Sequence, residues 1–195
     1  MMKVGAIGSI FCMLGVVAEM VGIVMLWVSP IDYFFAGSHI NLGSGISWAI
    51  GLILLSVGIF GLWKQYKHKF SLTVGIFGMV TMAVGLVLSI VLWWNGGATT
   101  AISSYIRNLS LVPVIVLITG ILWLVLNGIF LILLGVNLVK LNEKTGIKRL
   151  TKSAGILTII TGATYAAMIP FGYLATQALA LTLTVFLIYL FFKAK

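Results

Sequence analysis

The chain alternates between long apolar runs and short polar breaks. Runs of about 20 mostly apolar residues lie near 4–28, 45–63, 70–94 and 111–139. The stretch 153–192 is also apolar, but Pro170-Phe171-Gly172 interrupts it. At 1.5 Å per residue, about 20 residues of helix cross the ~30 Å hydrocarbon core of a bilayer. The proline and glycine end one helix and permit a tight turn, so the stretch divides into 153–170 and 171–192. The run Val4 to Val28 is longer than the apolar core of a signal peptide and reads as a signal anchor and first span. The pattern predicts one transmembrane domain over 1–195, an all-α bundle of six membrane-spanning helices.

The breaks between runs set the orientation. Lys64, Lys67 and Lys69 lie between spans two and three, and Lys140, Lys144, Lys148, Arg149 and Lys152 between spans four and five. Lys3, Lys193 and Lys195 sit at the termini, which leaves only Arg107 on the other side. Basic residues stay cytoplasmic during insertion, so both termini and both basic loops are expected inside, in the cell membrane. The outward loops are then 29–44 and 95–110, both mixed enough in character to lie along the surface as short helices. Asn108-Leu109-Ser110 matches a glycosylation sequon, although the adjoining span hinders modification. Trp27, Trp48, Trp93 and Trp94 fall at expected outer ends and Trp63 at an inner one, where tryptophan favours the headgroup zone. Trp123 lies inside span four and does not fit that pattern.

Composition supports a lipid environment. Hydrophobic residues make up 62% and charged residues 8%, with a mean hydropathy of +1.23. A water-soluble domain is nearer half apolar and a quarter charged. The net charge of +9 follows from the loop lysines, so anionic headgroups are the expected partner and nucleic acid is not. Cys12 is the only cysteine and sits in an apolar run, which reads as a small hydrophobe.

Glycine repeats along the chain. An offset of 77 carries Gly43, Gly51, Gly58, Gly78 and Gly85 onto Gly120, Gly128, Gly135, Gly155 and Gly162, where about one coincidence would follow from 22 glycines in 195 residues. An offset of 70 carries Gly5, Gly8 and Gly15 onto Gly75, Gly78 and Gly85. Both offsets preserve orientation, so the bundle reads as repeated two-helix units related in parallel. Within spans the glycines recur every seven residues: Gly8 and Gly15, Gly51 and Gly58, Gly78 and Gly85, Gly128 and Gly135, Gly155 and Gly162. Seven residues return to nearly the same helix face, so each span carries a smooth seam for close packing. The repeat predicts that the hairpin of spans two and three matches that of spans four and five.

Candidate chemistry is sparse. Glu19 is the one acidic residue inside a span, and an intramembrane carboxyl must face the bundle or a watery cavity. Depth places Ser89, Thr119, Thr161, Thr164, Tyr165 and Gln177 in the same outer half, with Ser56 near mid-span. Glu19, Thr119, Tyr165 and Gln177 form the candidate polar site, either a structural hydrogen-bond cluster or a path for a proton, cation or small polar solute. Asn127 reads as interhelical glue. His39 and His68 fall on opposite faces, which excludes a bis-histidine haem. The ligand count excludes zinc and diiron centres, and no serine has an activating base. The sequence therefore predicts no cofactor and no catalytic site. The function expected is a structural or accessory subunit of a larger membrane complex, a respiratory or other energy-converting one among them, or a homo-oligomer. The alternative is a small transporter or channel working through Glu19.

Overall fold

A computed structural model describes residues 1–28, 30–94, 111–167 and 173–193. These form six helices: α1 (Met2–Val28), α2 (Pro30–Tyr66), α3 (Lys69–Trp94), α4 (Leu111–Leu141), α5 (Lys148–Ala166) and α6 (Tyr173–Lys193). The apolar runs take this form because lipid offers no hydrogen bonds, and only a helix satisfies its own backbone within one segment. The described residues are helical apart from short turns, and five of the six helices are long and apolar enough to cross a membrane, as in a multi-pass membrane protein. The exception is α5, whose first five residues include Lys148, Arg149 and Lys152. Residues 168–170 of the span expected there lie outside the described residues, as do the sequon and the whole segment 95–110.

The helices form a closed ring. Each packs against its neighbour in sequence, and α6 returns to α1. The turns at one end are tight. Lys67 adopts a left-handed conformation (φ 52°) between α2 and α3, its N–H bonded to Trp63 O at 2.8 Å. Ser71 N–H reaches His68 O at 2.9 Å as α3 begins. The loop from α4 to α5 is held by Thr145, whose hydroxyl donates to Asn142 O at 3.1 Å and lies 2.9 Å from the Thr151 hydroxyl. The core combines Leu52, Leu55, Ile59 and Leu62 of α2 with Phe130, Leu134 and Leu138 of α4 and Leu183, Leu187 and Leu190 of α6. Outward faces are apolar as well: Ile7, Leu14, Val17 and Val21 on α1, and Ile76, Val80, Val84 and Val87 on α3. Water would not tolerate such a surface, whereas hydrocarbon does.

Glycine governs how closely these helices approach. A Cβ on Gly8 would meet Leu55 N at 2.5 Å and Gly51 O at 2.6 Å, and one on Gly51 would meet Cys12 N at 2.6 Å. Along the same seam Gly58 faces Gly5, and Gly15 faces Ser44 and Trp48. Between α4 and α5, a Cβ on Gly128 would meet Ala166 N at 2.6 Å and Gly162 O at 2.7 Å, and Gly135 faces Gly155 in the same way. At these crossings backbone touches backbone, which any side chain would prevent. Gly78 and Gly85 differ. They are notches in α3 that receive the Phe130 and Trp123 rings of α4, with the Ser56 hydroxyl also over Gly78.

These contacts revise three expectations. Glycines that the 77-residue offset equates have different neighbours: Gly128 and Gly162 meet each other, whereas Gly51 packs on α1 and Gly85 on Trp123. Residues 30–44 belong to α2 and are not a surface loop. Proline is well placed at the first helical position, and 37 residues span roughly 55 Å, more than the ~40–45 Å of a whole bilayer. Trp48 turns inward, 9% exposed, instead of toward headgroups. Trp123, anomalous for an interfacial residue, is a packing residue seated over Gly85.

The antiparallel pairs bring all the described cations to one end. The start of α1, the α2–α3 turn, the α4–α5 loop and the end of α6 meet there, carrying exposed Lys3, Lys64, Lys67, Lys69, Lys140, Lys144, Lys148, Arg149, Lys152 and Lys193.

Candidate functional site

Glu19 and Gln177 meet across the α1–α6 seam. Gln177 Nε2 donates to Glu19 Oε2 at 2.5 Å. Helix α6 positions Gln177 one turn from its start, with its side chain fully buried, while Glu19 is half-buried on α1. Gln177 Oε1 has no hydrogen-bond partner among the described residues. The pair thus presents a carboxyl group and an unpaired amide oxygen side by side, an arrangement rich in acceptors. It could hold a proton on the carboxyl or receive a small cationic or hydrogen-bond-donating group.

The other expected members stand differently. Tyr165 of α5 packs on Trp48 of α2, with ring centroids 6.3 Å apart at a 32° tilt. Trp48 Nε1 donates to Asn127 Oδ1 at 3.4 Å, and Asn127 Nδ2 donates to Trp123 O at 2.8 Å. Asn127 is therefore an interhelical tie between α4 and α2. Thr119 and Ser89 lie in α4 and α3, but their side chains are outside the described residues. Ser56, Thr161 and Thr164 donate to Leu52 O, Leu157 O and Thr161 O within their own helices, at 2.8, 2.9 and 2.7 Å. Hydroxyls that bond back to the preceding turn are satisfied without a ligand. Ser44 and Ser47 instead bond across to α1, at Gly15 O (3.1 Å) and Phe11 O (2.8 Å).

A second polar cluster, which the sequence reading missed, closes the basic end. Asn137 of α4 and Ser71 of α3 are both fully buried. Ser71 Oγ lies 2.8 Å from Asn137 Oδ1, and His68 Nδ1 lies 3.1 Å from the same oxygen. Asn137 Nδ2 has no partner among the described residues. The His68 ring meets Phe70 edge-on at 6.3 Å, and Lys140 Nζ lies 4.7 Å above the Phe70 ring. Treating His68 as a loop residue concealed the cluster. The available signal was depth: Asn137 is four residues from the end of α4 and Ser71 two from the start of α3, so both lie at one level.

Among the described residues, no three His, Cys, Asp or Glu side chains gather as a metal ion would require. Buried Cys12 packs against Gly51. No protein-family model, curated protein or solved structure matches this chain.

Proposed function

We propose that the protein is a non-catalytic structural or accessory subunit of a larger membrane complex, with respiratory and other energy-converting assemblies among the candidate hosts. The single observation behind this reading is the backbone contact of α1 with α2 and of α4 with α5 at facing glycines. Helices seated on one another's backbones form a stiff unit with apolar outer faces, which suits a scaffold that packs against other spans. In this reading α5 also crosses the membrane, as the fifth of six spans. It lies against α4 through Gly135 and Gly155 and through Gly128 and Gly162, and its 19 residues reach about 28 Å. The basic end is cytoplasmic, by the preference of lysine and arginine for that side.

A second reading rests on Glu19 beside the unpaired Gln177 Oε1. Here the pair is a station for a proton or cation in a small transporter. One experiment separates the two. Purified from its native membrane in mild detergent, the protein should come with a stoichiometric set of membrane partners, and Glu19→Gln should leave that assembly unchanged. Isolation alone, with proton or cation flux in proteoliposomes that Glu19→Gln abolishes, would overturn the accessory reading in favour of transport.

A further inference from the structure

We propose that His68, Ser71 and Asn137 form a proton-operated latch between the α2–α3 turn and α4, in which protonation of the imidazole reverses the Asn137 side-chain amide. The inference is independent of whether the bundle serves assembly or transport.

The geometry defines two arrangements. One atom of the Asn137 amide faces both Ser71 Oγ and His68 Nδ1, at 2.8 and 3.1 Å, and the other is buried without a partner among the described residues. Amide oxygen and nitrogen have nearly the same shape, so a half-turn of the group fits the same space. With the oxygen facing the pair, it accepts from the Ser71 hydroxyl and from an Nδ1–H, and both amide hydrogens are left unpaired. With the nitrogen facing the pair, it donates one hydrogen to Ser71 Oγ and the other to the Nδ1 lone pair. The carbonyl oxygen is then unpaired, and the Ser71 hydroxyl hydrogen, with Oγ 3.4 Å from the same Nδ1, loses its Asn137 acceptor.

The charge on His68 selects between them. A neutral imidazole protonated at Nε2 allows the nitrogen-facing form, which satisfies both amide hydrogens. That form is favoured because it leaves one buried donor unpaired in place of two, and an orphaned donor is rarer and costlier than an under-used carbonyl. An imidazolium carries hydrogen on both nitrogens and cannot accept, so only the oxygen-facing form remains. Proton uptake therefore rotates Asn137 and strands its two hydrogens inside the bundle.

The titratable and charged residues around the turn are Lys64 and Tyr66 at the end of α2, Lys67 beside His68 in the turn, Lys69 at the start of α3, and Lys140, Glu143 and Lys144 at the end of α4 and in the loop after it. Lys140 rests on the Phe70 ring that His68 meets edge-on. Turn and α4 stay tied in both forms, and protonation changes which Asn137 atom makes the tie.

The test is nuclear magnetic resonance on the full chain in nanodiscs, labelled with 15N at histidine and asparagine. His68→Gln and Asn137→Leu identify the signals. The neutral imidazole of His68 should carry its hydrogen on Nε2, and the Asn137 side-chain amide signals should move with the same midpoint as the imidazole. Asn137→Asp, which can only accept, should transfer the neutral hydrogen to Nδ1. A neutral His68 protonated at Nδ1 in the unaltered protein, or Asn137 signals that stay fixed through the imidazole titration, would overturn the latch.

Discussion

Replacing glycine by alanine should have opposite effects at two positions of this bundle. In a helix interior alanine is favoured over glycine by about 0.8–1 kcal/mol. Gly43 of α2 is exposed, and no atom of the described residues lies within 4 Å of where its Cβ would be, so Gly43→Ala should retain most of that gain. At Gly128 the new methyl would lie 2.6 Å from Ala166 N and 2.7 Å from Gly162 O. Ordinary contact begins near 3.4 Å, so α4 and α5 would have to separate by roughly 0.7 Å along a seam that also holds Gly135 against Gly155. Both obstructing atoms are backbone, and no rotamer change relieves them. Overpacking of this kind costs about 1–3 kcal/mol, which leaves a net destabilisation of up to about 2 kcal/mol after the helix gain. The assay is unfolding of the purified protein by SDS in mixed micelles, followed by tryptophan fluorescence and circular dichroism. Gly43→Ala should raise the midpoint SDS fraction and Gly128→Ala should lower it. If both shift it in the same direction by similar amounts, backbone contact at the glycine seam is not what limits stability.

Two further outcomes follow from the structure. In a Cys12→Ser background, an impermeant thiol reagent on intact cells should label Ser38→Cys and Ser103→Cys and spare Lys67→Cys and Gly146→Cys; inner sites at exposed Lys67 and Gly146 are chosen because Thr145 is buried. Labelling of the inner pair would reverse the proposed orientation. Phe130→Ala empties the ring that fills the Gly78 notch and should cost about 2 kcal/mol in the same SDS assay. That is less than the ~3–5 kcal/mol of a soluble core, because lipid removes most of the transfer term. A loss under about 0.5 kcal/mol would mean that the notch does not anchor α4.

The helices were readable because lipid leaves an apolar segment almost no other conformation. The limits were readable only where chemistry changes abruptly, as at Lys67-His68. Residues 29–44 read as an outward loop between two apolar runs, yet Pro30 costs nothing as a first helical residue and Gly37 and Gly43 cost only about 1 kcal/mol each, which surrounding structure can outweigh. The glycines recur at heptad spacing, but spacing does not name what a glycine packs against. Gly51 and Gly85 carry the same spacing as Gly128 and Gly162, and they meet Cys12 and Trp123 instead of each other. Glu19 and Gln177 were found because a charged or amide side chain in an apolar run is conspicuous and depth matched them. Asn137 was equally conspicuous, but its partners lay beyond the apolar run in a turn assigned to solvent.

The polar clusters and the packing seams share the same registers, which bears on how far a local change would travel. On the α3–α4 interface Ser71 meets Asn137, Gly78 receives Phe130, and Gly85 receives Trp123. Each step is seven residues forward on α3 and seven back on α4, so the latch and both aromatic notches lie on one straight seam. Interlocked rings do not slide by small amounts, because a close-packed interface resists partial shifts. Rotation of the Asn137 amide can therefore stay local while α3 and α4 hold register. If the register slips, Trp123 must leave Gly85, and its carbonyl carries with it the Asn127 amide that Trp48 is bonded to. The α1–α6 seam is built the same way, with Phe191 over Gly5 and Gln177 on Glu19, fourteen residues along on each helix. Both polar clusters thus sit on seams whose register large side chains and glycine notches fix, and a signal from either would have to pass as a discrete step of a whole helix.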